Sequence, residues 1–443
     1  METGNRTAGM KAGSRVAGME SKNRVAGVEV GDKAGSRTIG SRLERKTGGG
    51  KESGRFFAVL CAAVLLFFFM AGCGKQVQTA GDVQDGREAA EAGTETFPAA
   101  ENSPVAGKKV AYILNMASSE IFRLCADQCV ETAEKLGMSC DVYFSGGDDA
   151  LFQNYIATCA ADGYDGLFVS HGGKDYSYTF LQDILGAYPD LKIVTFDTQF
   201  EDSSGQTQKI KGVTQFFQDD EGLAADLLEY LCGELYPGRE QVNLIKVWVG
   251  PDYIAAFDRR EKGYQEYEES GKIHTLEVIG PADYGNVTAS MYDVMGAALM
   301  KYGEGEVDGI WVAYDAYAQG CYQALKESGK DIPLVSADIC NMDIRYMLEE
   351  GSMWKACACT DFRANGEQGI RILALEMNGD YGDIKDRTTG APVDYIEMPA
   401  ALITQDMLKE DSTIGNLYEI APKQYGAVEY YVTNDWLKEC IGY

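Results

Sequence analysis

Histidine is almost missing from this chain: His171 and His274 are the only two in 443 residues. Twelve cysteines are present, yet no two have the Cys-x-x-Cys spacing. With so little imidazole and no paired thiols, a zinc centre is not expected, and no metal or other cofactor is implied. The Gly-x-Ser-x-Gly elbow and the His-Glu-x-x-His helix are also absent. Gly48-Gly49-Gly50-Lys51-Glu52 lacks the Ser or Thr of a phosphate loop and has no strand before it, so none of the common hydrolytic or nucleotide-cleaving chemistries is encoded. Net positive charge is lacking too. The formal charge is −28, and residues 1–55, with 12 Lys or Arg against 6 Asp or Glu, are a basic exception. The acidic excess therefore lies beyond residue 73, and like charge keeps that body off nucleic acid.

One apolar run stands out. Residues 56–72 carry no charge, Lys51 and Arg55 precede them, and Met70-Ala71-Gly72-Cys73 ends them. A basic flank, a short apolar stretch and small residues before a cut describe a secretory signal. The ending resembles the lipobox of bacterial lipoproteins, which implies lipidation at Cys73 and attachment to the outer face of the cell membrane. Met70 stands where Leu is more usual. The stretch 1–55 repeats an Arg-x-Ala-Gly theme at Arg6, Arg15 and Arg24 and has too few apolar side chains to bury, so it reads as a disordered basic leader. Residues 74–107, rich in Ala, Gly, Glu and Thr, read as a flexible tether.

From Lys108 the texture changes. Short runs of Val, Ile and aromatics alternate with longer amphipathic runs. Strands are predicted at 109–114, 140–144, 166–170, 192–196, 241–248, 274–279, 309–313, 333–337 and 354–359. Helices are predicted between them, at 149–161, 176–188, 221–235, 255–270, 287–301, 316–329, 341–350 and 363–378, with a first one capped by Ser118 or Ser119 and ended by Gly137. Strict alternation means parallel sheets, and the number of strands favours two sheets over one. The cysteines fall inside these apolar periods, and the pattern assigns them as small buried hydrophobes.

In open parallel sheets, ligands bind outside the carboxyl ends of the strands. The residues there are polar or aromatic: Asn115, Ser118, Ser119 and Phe122; His171, Gly172 and Gly173; Asp197, Thr198 and Gln199; then Tyr253, Arg260, Tyr284, Tyr314, Asp315, Asp338, Thr360 and Asp361. Singly, each suits a cap or a turn. Together, carboxylates, amides, an arginine and rings suit a hydroxyl-rich ligand, because carboxylates accept from hydroxyls, guanidinium donates, and rings cover C–H faces.

This order and spacing, from Lys108 to Met407, resembles the type I periplasmic sugar-binding proteins, the ribose- and galactose-binding group. The resemblance rests on Phe122 after the first strand, Asp197 ending Ile193-Val194-Thr195-Phe196-Asp197, Arg260 in Arg260-Glu261-Lys262-Gly263-Tyr264, Tyr284 in Pro281-Ala282-Asp283-Tyr284, and Asp338 ending Val335-Ser336-Ala337-Asp338. Departures are the missing Asn-Pro before Phe122, Thr198 for Arg, and Tyr314 for Asn before Asp315. The likeness implies two doubly wound α/β lobes joined by three crossings near Gln218, Thr360 and Ile396. One lobe is 108–218 plus 361–396, the other 219–360 plus 397–410, with 411–443 an aromatic tail packed on a lobe. It implies ligand contacts from Asn115, Phe122, His171, Asp197, Gln199, Arg260, Tyr284, Tyr314, Asp338 and Thr360.

The function so implied is ligand capture, not catalysis: a solute-binding lipoprotein passing a small neutral polar ligand, a monosaccharide or close relative, to an ABC permease. The alternatives are a sensory receptor for a membrane kinase or chemoreceptor, and a nucleoside or cationic metabolite as ligand.

Overall fold

The computed structural model describes residues 102–251, 254–385, 394–425 and 432–442. Cys73, the signal-like run, the basic leader and Tyr253 lie outside the described residues.

Among the described residues, twelve strands form: β1 (Lys109–Leu114), β2 (Ser139–Phe144), β3 (Gly166–Ser170), β4 (Lys192–Phe196), β5 (Val213–Gln218), β6 (Val242–Val247), β7 (Ile273–Ile279), β8 (Gly309–Val312), β9 (Leu334–Ala337), β10 (Trp354–Thr360), β11 (Tyr395–Met398) and β12 (Ala400–Thr404). They are arranged in two six-stranded sheets, ordered β11-β5-β4-β3-β1-β2 and β12-β10-β9-β8-β6-β7. Within each sheet every pairing is parallel except that of β12 with β10. The fold is thus two α/β lobes of the periplasmic-binding-protein type I, each a doubly wound sheet with its order reversing beside its first strand. The central strands β3, β8 and β9 are buried along their whole length, as near-continuous apolar runs require when helices cover both faces. The edge strands β2 and β7 are partly exposed.

The principal helices are α1 (Glu120–Lys135), α2 (Asp149–Ala161), α3 (Lys174–Ala187), α4 (Asp220–Glu229), α5 (Ala255–Glu269), α6 (Val287–Leu299), α7 (Asp315–Ser328), α8 (Asn341–Met347) and α9 (Phe362–Asn378). Predicted and observed bounds differ by one to three residues at most ends, except that the run predicted at 221–235 leaves the α-helical pattern at Tyr230 and finishes as a π-turn, Tyr230–Leu235. In α9, Gly366 and Gly369 permit close approach: a Cβ at Gly366 would meet the Cys125 carbonyl oxygen at 2.3 Å, and one at Gly369 the Phe168 ring at 2.5 Å. Helix α9 is therefore wedged between α1 and the first sheet.

The sequence pattern missed β5, β11 and β12. All three lie where the chain changes sheets. It leaves the first sheet after β5, returns after β10, and leaves again between β11 and β12. Two other expectations are corrected. The ordered body starts before Lys108, since Val105 is buried and the Gly107 amide donates to the Gly137 carbonyl at 2.8 Å. The tail does not rest on one lobe. Short helices α10 (Leu417–Ile420) and α11 (Pro422–Tyr425) lie on the second lobe, where the Tyr425 hydroxyl donates to the Cys359 carbonyl at 3.1 Å. Helix α12 (Asp435–Ile441) lies on the first, where Trp436 Nε1 donates to Asp380 at 2.8 Å. Tyr418 is exposed, and Tyr430 and Tyr431 are outside the described residues. No disulfide joins the ten described cysteines to one another, and seven of them are buried.

Candidate functional site

Among the described residues, three that are not glycine adopt left-handed backbone: His171 at φ 61°, Asp197 at φ 51° and Asp338 at φ 63°. Each immediately follows a strand, β3, β4 and β9 respectively. Such conformations cost of order 1–3 kcal/mol each and persist where the surroundings enforce them. Asp and His tolerate the region better than most residues. The sequence thus turns sharply at the strand ends and aims these side chains into the space between the lobes.

A chain of alternating charges fills that space. Asp197, in the first lobe, bonds Arg259 of α5 in the second. Arg259 Nε and Nη2 donate to Asp220 Oδ2 at 2.8 and 2.5 Å. Asp220 Oδ1 accepts from Arg260 Nε at 2.8 Å. Arg260 then grips Asp338 with both terminal nitrogens, at 2.8 and 3.0 Å, and donates from Nη1 to the Ala313 carbonyl at 2.6 Å. Three carboxylates and two guanidiniums leave one negative charge in excess. Burial would raise the pKa of Asp197, but Arg259 and then His171 outweigh it and hold the carboxyl below its usual value. For Asp220 burial prevails over both arginines and lifts the carboxyl to about 6, which still leaves it ionised at neutral pH.

His171 lies 3.4 Å from Asp197 Oδ2 through Nε2, with Ser170 Oγ 2.7 Å from Nδ1. Burial lowers its pKa, so the ring is neutral near pH 7. A neutral ring donating from Nε2–H to Asp197 accepts at Nδ1 from the Ser170 hydroxyl. Phe122 meets the His171 ring edge-on at 5.2 Å and Phe362 at 6.0 Å, which sets an aromatic wall on the first lobe. Tyr314 caps α7 and packs on Phe257 and Tyr317 at 5.9 and 5.4 Å, a second wall on the other lobe.

The structure brings His171, Asp197, Arg260 and Asp338 into this one network. Other candidates stand apart. The Asn115 amide is engaged within its own lobe, donating to Asp149 at 2.7 Å and accepting from Ser145 at 2.6 Å. Gln199 donates to Glu201 at 2.8 Å. Thr360 is fully buried at a crossing, donating to Gln218 at 3.4 Å and accepting from Asn365 at 3.1 Å. Tyr284 is 49% exposed, so it does not close over the network.

Sequence reasoning missed Arg259 and Asp220. The signal was the tandem Arg259-Arg260. Neighbours on a helix point roughly 100° apart, so one arginine can face each lobe. A further group was also missed. Asp315, Cys340 and Asp343 place donor atoms within 4.8 Å of one another. Burial, then Asp343 and Asp338, raises Asp315 well above the usual carboxyl range, and burial raises both Asp343 and the Cys340 thiol. Asp343 also accepts from Gln319 at 2.9 Å and from the Cys340 amide at 2.6 Å. Burial thus favours the neutral forms of both carboxyls.

Two lobes whose strand ends face each other across a charged, ring-walled cleft define a two-lobe binding protein. The chain belongs to the periplasmic binding protein family, type I: the family model described as periplasmic binding protein domain matches residues 110–380. Among solved structures, a sugar ABC transporter from Yersinia enterocolitica is 28% identical, over 77% of this chain and 97% of that one, with a TM-score of 0.62. A 5-methylthioribose transporter solute-binding protein from Thermotoga lettingae, in complex with 5-methylthioribose, is 22% identical over 76% and 98%, also at 0.62. An ABC transporter solute-binding protein from Agrobacterium vitis with bound allitol is 18% identical over 72% and 99%, at 0.55. No curated protein matches by sequence. Among the described residues, no helix is long and apolar enough to cross a membrane.

Proposed function

We propose that this protein captures a small neutral polyhydroxylated ligand, a monosaccharide or polyol, between its lobes by hinge closure and delivers it to an ABC permease, without transforming it. The observation that carries this reading is the Asp197–Arg259–Asp220–Arg260–Asp338 chain. Its arginines are already balanced by carboxylates, so an anionic ligand would meet net negative charge in a desolvated cleft. A neutral ligand donates hydroxyls to Asp197 and Asp338 and brings no charge. The rings of Phe122 and Tyr314 offer apolar faces for its C–H surface. The likeness to the Yersinia sugar transporter supports the same ligand class. Family membership supports hinge closure about the three crossings, with the lobes bounded near Gln218, Thr360 and Ile396, and an extracytoplasmic location. The residues ending at Cys73 support lipid anchoring.

Isothermal calorimetry with a panel of neutral pentoses, hexoses and polyols tests the reading, beside amino acids and nucleosides. At least one neutral sugar or polyol binds, and Asp197→Asn weakens it tenfold or more. Binding confined to amino acids or nucleosides overturns the ligand assignment. Metabolic labelling with a fatty-acid analogue marks the wild type and not Cys73→Ala; equal labelling refutes anchoring there.

A further inference from the structure

Arg259 is the residue at which lobe, hinge and site meet. Its Nη2 crosses the cleft to Asp197, while Nε and Nη2 hold Asp220, two residues past the end of β5, where the chain first changes sheets. The face of its guanidinium lies over the Phe217 ring, 4.7 Å from the centroid. Phe217 in β5 stacks at 4.9 Å on Tyr395 in β11, so the arginine rests on the strands of two crossings at once. Away from the crossings, the other side-chain ties between the lobes among the described residues are exposed ones. Glu120 meets Asn341 at an exposed position, and Arg363 reaches Gly415 of the tail, also exposed. Exposed contacts of this kind contribute little. Among the described residues, Arg259–Asp197 is the buried ion pair that crosses the cleft, and breaking it leaves Asp197 beside neutral His171 alone, while Arg259 keeps Asp220. Arg259 Nη1 is buried with no hydrogen-bond partner, so this side chain is held by its ion pairs and its ring contact rather than by a full set of donors.

We propose that Arg259 is a positioning residue which latches the lobes together before ligand arrives and, in doing so, presents Asp197 to the ligand. The inference rests on the hinge reading above, but not on the identity of the ligand. Asp197 sits between His171 on its own lobe and Arg259 from the other, so its orientation is set only when the lobes are together. A cleft latched in this way binds with less loss of affinity to the open population, because apparent affinity scales with the fraction of competent protein.

The test uses the full chain, extensively dialysed, with no sugar added. The chain has twelve cysteines, so site-specific thiol labelling is unsuitable. Ketone-bearing residues at Asp162 and Glu304, exposed at the amino ends of β3 and β8, take a fluorescent donor and acceptor instead. Single-molecule transfer then reads the distance between the lobes' far ends. The wild type shows mostly the short distance. Arg259→Met keeps the stem on Phe217 but loses the charge, and its closed-to-open ratio falls at least tenfold. Arg259→Lys restores part of the closed population. The proposal is overturned if Arg259→Met gives the wild-type distribution with an unchanged urea midpoint, or if Arg259→Lys is as open as Arg259→Met. Should Arg259→Met fail to fold, Asp197→Asn cuts the same tie from the other lobe and must open the protein; an unchanged distribution there also overturns it. Because no sugar is present, this failure is distinct from failure of the ligand assignment.

Discussion

Replacing Arg260 by Met removes one guanidinium from a site where nothing can take its place. The side chain is 1% exposed, and its bonds go to Asp220, Asp338 and the Ala313 carbonyl. Asp338 is 5% exposed and Arg260 is its cationic partner, so the substitution strands a buried carboxylate; Asp220 keeps Arg259. Removing one partner of a buried pair costs about 3–5 kcal/mol, most of it the penalty of the charge left behind. The magnitude therefore depends on Asp338 remaining charged. Asp338→Asn in the same chain removes that charge, and asparagine tolerates the positive φ of 63° at this position. Urea unfolding followed by fluorescence should show Arg260→Met destabilised by about 3–5 kcal/mol and the double variant recovering about half or more of the loss. A single variant within about 1 kcal/mol of wild type, or a double variant no better than the single, refutes the argument that the pair is held by desolvated charge.

Glu376 carries a pH prediction. It is buried, accepts from Thr214 at 2.8 Å, and leaves Oε2 without a partner; burial raises its pKa from 4.5 to about 8. The native state thus holds a proton that the unfolded state has released between those values, so this residue makes stability fall as pH rises through that window. Glu376→Gln should gain up to about 5 kcal/mol at pH 9 and little at pH 4 by thermal melts; a gain equal at both pH values would refute protonation as the cause. Gly320 lies where α7 crosses α6, and a Cβ there would sit 2.2 Å from the Thr288 carbonyl oxygen. Gly320→Ala should cost about 1–3 kcal/mol in urea unfolding, and a neutral effect would show that the two helices separate freely.

Much of the architecture was legible because it is written in local periods. Runs such as 166–170 and 333–337 could only be strands covered on both faces, and alternation with helices required parallel sheets. The strands that were missed, β5, β11 and β12, are those whose apolar content is diluted by Thr, Gln, Glu or Ala, that border the crossings, and that break the alternation where strand follows strand with no helix between, as β5 follows β4 and β12 follows β11. The rule that ligand groups follow strands pointed to His171, Asp197 and Asp338, which the structure joins in one network, because left-handed turns at strand ends take His and Asp readily. It passed over Arg259 and Asp220, which lie on helices and reach the site from the side.

What the sequence determined by itself was the kind of molecule: an acidic, two-sheet α/β body with carboxylates, a histidine and rings at its strand ends. That follows from burial and turn chemistry, which act within a few residues. What only the tertiary structure decided was the partnership of those groups. Arg260 serves Asp338 and Asp220, Asn115 and Thr360 spend their bonds within the scaffold, and Arg259 spans the cleft to a residue 62 positions away in sequence. Charges pair according to distance in a desolvated space, and that distance is set by how two lobes built from alternating stretches of chain meet, which no local pattern records.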